Sequence, residues 1–167
     1  MKNLKRLTVL VLLTMFVSRL LAQQQSCIKV SGEVTIPLQL CAADISKMSH
    51  SIINANDRGG KVHKYEGVLL SDILIKAGVP MGKELRGEHL AKYLLVTSAD
   101  NYQVVFSLAE LDSVFTDKKV ILADKMDDKP LSQDTGPFRV VVEDAKRPAR
   151  NSFQVVALTV LFAKEKD

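Results

Sequence analysis

The stretch Lys64 to Pro80, KYEGVLLSDILIKAGVP, constrains the fold most, because it carries its own start, face and stop. Leu70, Ile73, Leu74 and Ala77 recur at i, i+3, i+4 and i+7, which puts them on one face of a helix and gives that face something to bury. Ser71 and Asp72 supply polar and acidic groups to the first turn, where unpaired amides and the positive end of the helix dipole favour them. Gly78 offers a left-handed exit, and Pro80 prevents the helix from resuming. Lys64-Tyr65-Glu66 reads as the end of a strand, with Gly67 as a turn residue. The pattern predicts a short, half-buried helix laid on a sheet. It contains no nucleophile and no set of metal ligands, so it describes a scaffold.

The N-terminus reads as a targeting segment. Lys2, Lys5 and Arg6 precede an apolar run from Leu7 to Val17, and LLAQQQ offers a cut after Ala22. That run is far shorter than the roughly 20 residues needed to span a bilayer, so a cleaved signal is expected rather than an anchor. Gln24-Gln25-Ser26 lacks the small, apolar run expected before a lipidated cysteine at Cys27. Residues 1–22 hold four of the chain's 23 basic residues and no acidic one, so the remainder carries 19 basic and 19 acidic side chains. The basic isoelectric point therefore belongs to the leader. A neutral chain argues against nucleic-acid binding, which needs a basic stripe to displace counterions. It also weakens colloidal repulsion, so self-association or a protein partner is expected. Residues 23–167 fit one domain, placed in the periplasm or outside the cell.

Cys27 and Cys41 are the chain's two cysteines, and export would place them in an oxidising compartment. They flank IKVSGEVTIPLQL, which reads as a strand, a turn and a returning strand. A disulfide and two free thiols both remain open, because the outcome depends on register. Farther on, AADISKM suggests a short helix, and HSIINA and GKVHKYE read as strands around the turn formers of NANDRGG. KYLLVTSADNYQVVFSLAEL reads as two strands followed by a helical turn, with Ser107 and Glu110 spaced as a capping box and Asp100 and Tyr102 expected to build a turn and bury a ring. KKVILADKMDDKPL reads as a strand and a turn, while GPFRVVVED and NSFQVVALTVLFA are rich in β-branched and apolar residues. The order predicts an α+β domain: a mixed, largely antiparallel sheet core with short interspersed helices.

Five segments in this order, VSGEVTIPLQL, YEGVLLSDILIKAGV, TSADNYQVVFSLAEL, ILADKMDDKPL and GPFRVVVEDAKRPARNSFQVVALTV, together resemble the sulfite oxidase-type molybdopterin-binding oxidoreductase domain. The resemblance implies that family's fold over nearly all of residues 23–167. It also implies a molybdenum cofactor, with a cysteine thiolate on the metal and basic and polar residues around the pterin and its phosphate. The thiolate is expected between the first short helix and YEGV. Here that segment is SHSIINANDRGGKVHK, which has no cysteine, and neither Asn54 nor Asn56 replaces a soft thiolate ligand. Cys41 lies before the helix, so the metal-ligand role is not carried onto it, and no metal site is predicted.

Two groups of residues are candidates for holding a ligand. Asn54, Asn56 and Arg58, with His63 beyond them, occupy the region that would face a cofactor in the resembled family, where Arg can contact a phosphate through two bonds. Arg139, Arg147 and Arg150 resemble positions lining the cofactor groove, and suit an anion. The competing readings are a solvated hairpin loop for the first group, an exposed strand position for His63, and a charged loop neutralised by Glu143 and Asp144 for the second. His50 and His89 lack a partner at metal-ligand spacing, and DKMDD is too short of ligands for a calcium loop. The expected function is an exported module that binds a small anionic or pterin-like ligand, or a protein partner, on this scaffold without the metal thiolate. The alternative is a molybdenum-cofactor-dependent oxidoreductase, or a subunit of one.

Overall fold

Alternation of inward apolar and outward polar residues over several segments makes strand the main regular element among the described residues. The computed structural model of the protein describes residues 26–163, so the leader assigned to residues 1–22 lies outside the described residues. The first sheet has five strands in the order β2-β1-β10-β5-β6: β1 Cys27–Gly32, β2 Leu38–Cys41, β5 Lys92–Ser98, β6 Gln103–Ser107 and β10 Val155–Phe162. Its pairings are antiparallel except β1 with β10. The second sheet runs β3-β4-β7-β8, with β9 also paired to β7: β3 Ser51–Asn56, β4 Val62–Leu69, β7 Val120–Met126, β8 Lys129–Pro130 and β9 Arg139–Val142. Short helices α1 (Ala42–Ile45) and α2 (Leu70–Lys76) complete an α+β domain whose sheets are mostly antiparallel. No helix among the described residues is long and apolar enough to cross a membrane.

The main core lies between the sheets. Ile28, Val30, Leu94, Val96, Phe106, Leu158 and Val160 from the first sheet meet Val68, Leu122 and Val140 from the second. Leu70, Ile73, Leu74 and Ala77 of the α2 segment are all fully buried in this core, as their spacing predicts. At full burial each large aliphatic side chain contributes about 1.5–3 kcal/mol of transfer free energy. Gly78 takes the left-handed conformation (φ +74°), and Ser107 and Glu110 form the capping box through bonds of 2.8 and 3.2 Å. A second apolar cluster, Ile53, Ala55, Tyr65, Ile121, Ala123 and Val141, occupies the other face of the second sheet. The end of β9 reaches the outer edge of β3 there, where the Asp144 N–H donates to the Asn54 carbonyl at 3.4 Å.

Three local expectations change. Gly67 is a strand residue of β4 rather than a turn, at a register shift against β7. A Cβ there would lie 2.2 Å from the Leu122 carbonyl oxygen, so glycine is required by close backbone approach. Tyr102 is 46% exposed, not buried, and its hydroxyl donates to the Ala149 carbonyl at 2.6 Å. Cys27 and Cys41 stand directly opposite each other in the β1–β2 register, 3.9 Å apart at Cα, and form a disulfide.

Candidate functional site

Three loops meet at one end of the sheets and enclose a cavity of about 370 Å³, lined by Arg58, Ser98, Tyr102, Arg147, Asn151 and Phe153 among others. Each wall has a local cause. The β3–β4 loop is closed by Asp57, whose N–H donates to the Lys61 carbonyl at 2.8 Å and whose Oδ1 accepts from the Lys61 N–H at 2.9 Å. This leaves Arg58 projecting from the loop, its guanidinium 5.4 Å from the Phe153 ring centroid. The β5–β6 turn is held by Asp100 Oδ1 accepting from the Tyr102 N–H at 3.0 Å, with Asn101 left-handed at φ 66°. The Tyr102 hydroxyl then ties this turn to the segment 147–151 that supplies Arg147.

The cavity wall carries unspent hydrogen-bonding capacity. Asn151 is buried, and its Oδ1 accepts from the Val142 N–H at 3.1 Å, which orients the amide and leaves Nδ2 as a donor without a protein partner. The buried Ser98 Oγ is likewise without a partner. Buried polar atoms normally find partners, and leaving one unsatisfied costs about 1–3 kcal/mol. Two guanidiniums, an amide donor and a hydroxyl around one cavity suit an anion with several acceptor oxygens or a heterocycle edge.

Beneath Phe153 lies Arg139, which is only 6% exposed. Its guanidinium sits 4.3 Å from the Phe153 centroid and 5.0 Å from that of Tyr65, and its Nη1 donates to Tyr65 Oη at 2.9 Å. Its Nε has no partner, and burial lowers its pKa from the ordinary arginine value. Burial also raises the Tyr65 phenol, a shift that the Arg139 charge opposes.

The structure thus brings Arg58 and Arg147 to the cavity and places Arg139 under its floor residue. His63 sits behind the β3–β4 loop, only 11% exposed, with Nδ1 2.7 Å from Asp127 Oδ2 and Nε2 3.4 Å from Asp57 Oδ2; it is not an exposed strand position. Asn54 and Asn56 lie on the exposed positions of β3 and do not line the cavity. Arg150 is held by Glu110 Oε1 at 2.9 Å and stacks 4.3 Å from the Phe106 centroid, so Glu110, rather than Glu143 or Asp144, neutralises it. Sequence reasoning missed Tyr65, Ser98, Asn151 and Phe153. Only the inward position of Tyr65 in an alternating strand was signalled by pattern.

The molybdenum cofactor implied by resemblance fits the described residues in part. Both cysteines of the chain are in the disulfide of the β1–β2 hairpin, so no thiolate is left to ligate a metal. Among the described residues no group of three His, Cys, Asp or Glu side chains converges as a metal site. The cavity's cationic and donor groups suit an organic anion instead.

No curated protein matches the chain. Among solved structures, the sulfane dehydrogenase SoxCD from Paracoccus pantotrophus is similar, with a TM-score of 0.61 and 20% sequence identity. The match covers 80% of this chain and 37% of that one, a likeness of fold in which the chain spans little more than a third of its relative's length. Residues 21–146 match the family model described as oxidoreductase molybdopterin binding domain, and the chain therefore belongs to that family.

Proposed function

We propose that the protein is an exported ligand-binding module on the molybdopterin-binding oxidoreductase scaffold. It takes a small anionic or pterin-like ligand in the cavity between Arg58 and Arg147 and supplies no protein thiolate to a metal. The observation that carries this reading is the Cys27–Cys41 disulfide, which consumes both cysteines of the chain on the hairpin of the first sheet. The same bond supports a periplasmic or secreted location, since such bonds persist in oxidising compartments. Function resides in the site rather than the scaffold, so family membership alone does not supply redox chemistry.

In binding, Arg58 and Arg147 would neutralise the ligand's charge, Asn151 Nδ2 and Ser98 Oγ would satisfy its acceptors, and the Phe153 and Tyr102 rings would shield it from water. A second reading, a molybdenum-dependent oxidoreductase or a subunit of one, is favoured by the family match. It would require another ligand to the metal or a partner chain to complete the site. The near-neutral surface of residues 23–167 supports such a partner or self-association.

The test is expression of the chain in cells that make the molybdenum cofactor, followed by metal analysis by mass spectrometry and pterin fluorescence after oxidation. Bound pterin or another organic anion without stoichiometric molybdenum is expected. Stoichiometric molybdenum would transfer the case to the second reading. Arg58→Ala and Arg147→Ala should each weaken retention about tenfold or more, the scale of one lost charged hydrogen bond. Unchanged occupancy in both would remove the cavity as the binding site.

A further inference from the structure

His63 is the one imidazole among the described residues whose two ring nitrogens both face carboxylates. Asp127 Oδ2 lies 2.7 Å from Nδ1, and Asp57 Oδ2 lies 3.4 Å from Nε2. An ionised carboxylate only accepts hydrogen bonds, so both contacts are satisfied together only by a ring carrying a proton on each nitrogen. We propose that His63 is a proton-operated clasp that sets the position of the Arg58 loop. The ligand consequence rests on the functional reading above; the clasp itself does not.

The two carboxylates belong to different elements. Asp127 sits in the β7–β8 turn, where its Oδ1 also accepts from the Lys64 N–H at 3.1 Å and its own N–H donates to the Lys64 carbonyl at 2.8 Å. Asp57 closes the β3–β4 loop through Lys61 and is followed directly by Arg58. The doubly protonated ring therefore bridges the Arg58 loop to a turn 64 residues away from His63 in sequence. Both carboxylates are held below their ordinary pKa: Asp127 first by the His63 hydrogen bond, and Asp57 first by the Lys61 N–H, with a smaller part from His63. Both are therefore ionised above the ordinary carboxylate range. The Tyr65 edge also faces the ring, with centroids 6.3 Å apart, while Lys61 acts on Asp127 and Lys64 is paired with Asp128.

Losing one proton breaks this symmetry in a definite direction. Nδ1 keeps its proton because its carboxylate is the closer by 0.7 Å, and the Nε2 lone pair is left facing Asp57. Attraction there becomes repulsion, and the released element is the loop that carries Arg58. Acidification thus locks Arg58 beside Phe153, and alkalinisation frees it.

The experiment measures backbone order parameters of Gly59 and Gly60 by nitrogen-15 relaxation at pH 5 and pH 7.5, with histidine-ring nitrogen shifts recorded on the same sample. In the wild type the loop order parameters should fall from rigid values near 0.85 toward 0.6 or below as the Nε2 proton is lost. His63→Gln and Asp57→Asn should each abolish the pH response, and either variant suffices if the other does not fold. Order parameters that stay flat in the wild type, or that respond equally in the variants, would overturn the clasp. Fluorescence titration with pterin-6-carboxylate adds the ligand arm, with affinity about tenfold weaker at pH 7.5 than at pH 5 in the wild type. If this probe fails to bind at either pH while the order parameters still respond, the clasp stands and the ligand reading falls.

Discussion

The Arg139 guanidinium donates to Tyr65 Oη at 2.9 Å across the β4–β7–β9 face, and this phenol is its one hydrogen-bond acceptor among the described residues. A buried cation satisfied by a neutral phenol and two ring faces is an unusual solution, since buried charges are normally paired. Tyr65→Phe keeps the ring and its cation–π contact while removing the acceptor, leaving Nη1 unsatisfied beside the orphan Nε. The variant should lose about 1–3 kcal/mol in urea unfolding. A loss below about 0.5 kcal/mol would show that Arg139 has another acceptor.

Gly67→Ala tests the close approach of β4 to β7. The added methyl would meet the Leu122 carbonyl oxygen at 2.2 Å and Ala123 Cα at 2.5 Å, both backbone atoms with no rotamer to change. Relief requires separating two central strands, so a cost at or above the usual 1–3 kcal/mol of overpacking is expected. Gly60→Ala is the control. Its Cβ meets nothing within 4 Å, and only the φ of +83° opposes it, which costs about 1–2 kcal/mol. Thermal melts that rank the two variants in the reverse order would contradict the packing account.

These positions show what the sequence could disclose. Leu70, Ile73, Leu74 and Ala77 were legible because helix periodicity and its stop signals are local, and the same holds for the Ser107–Glu110 capping box. Gly67 was misread because a turn glycine and a close-approach glycine look alike until the partner strand, more than 50 residues later, is known. His63 looked exposed because Asp127, which covers it, also comes from far along the chain. Arg58 and Arg147 were found by residue chemistry and family position. Ser98 and Asn151, which complete the cavity wall, gave no signal because a polar residue becomes notable only when burial removes its water.

Breaking the Cys27–Cys41 bond should destabilise the domain without touching the cavity. The bond closes a segment with a sequence separation of 14, for which loop entropy gives about 3 kcal/mol. The Cys27→Ala/Cys41→Ala double variant should therefore lower the unfolding free energy measured in urea by about that amount and leave the affinity of the cavity for pterin-6-carboxylate within about twofold. A comparable loss of affinity would instead tie the first-sheet hairpin to the ligand site.

Acid stability carries a signature of the carboxylate contacts. Asp127, Asp57 and Glu66 are held below their ordinary values, Asp127 chiefly by the His63 hydrogen bond, Asp57 by the Lys61 N–H and Glu66 by Lys125 at 2.7 Å. Each binds fewer protons folded than unfolded between its lowered value and the ordinary carboxylate range near pH 4. Stability therefore rises with pH across that window. The contribution is complete above the unfolded value and is lost as pH falls through the folded one. Melting temperature should accordingly fall from about pH 4 downward. Asp127→Asn removes one titrating group from this limb, so its melting temperature should be lower than wild type at pH 7 and converge toward it at pH 3. Parallel wild-type and variant curves over that range would mean that Asp127 does not titrate differently in the folded and unfolded states, and that the His63 contact does not favour its ionised form.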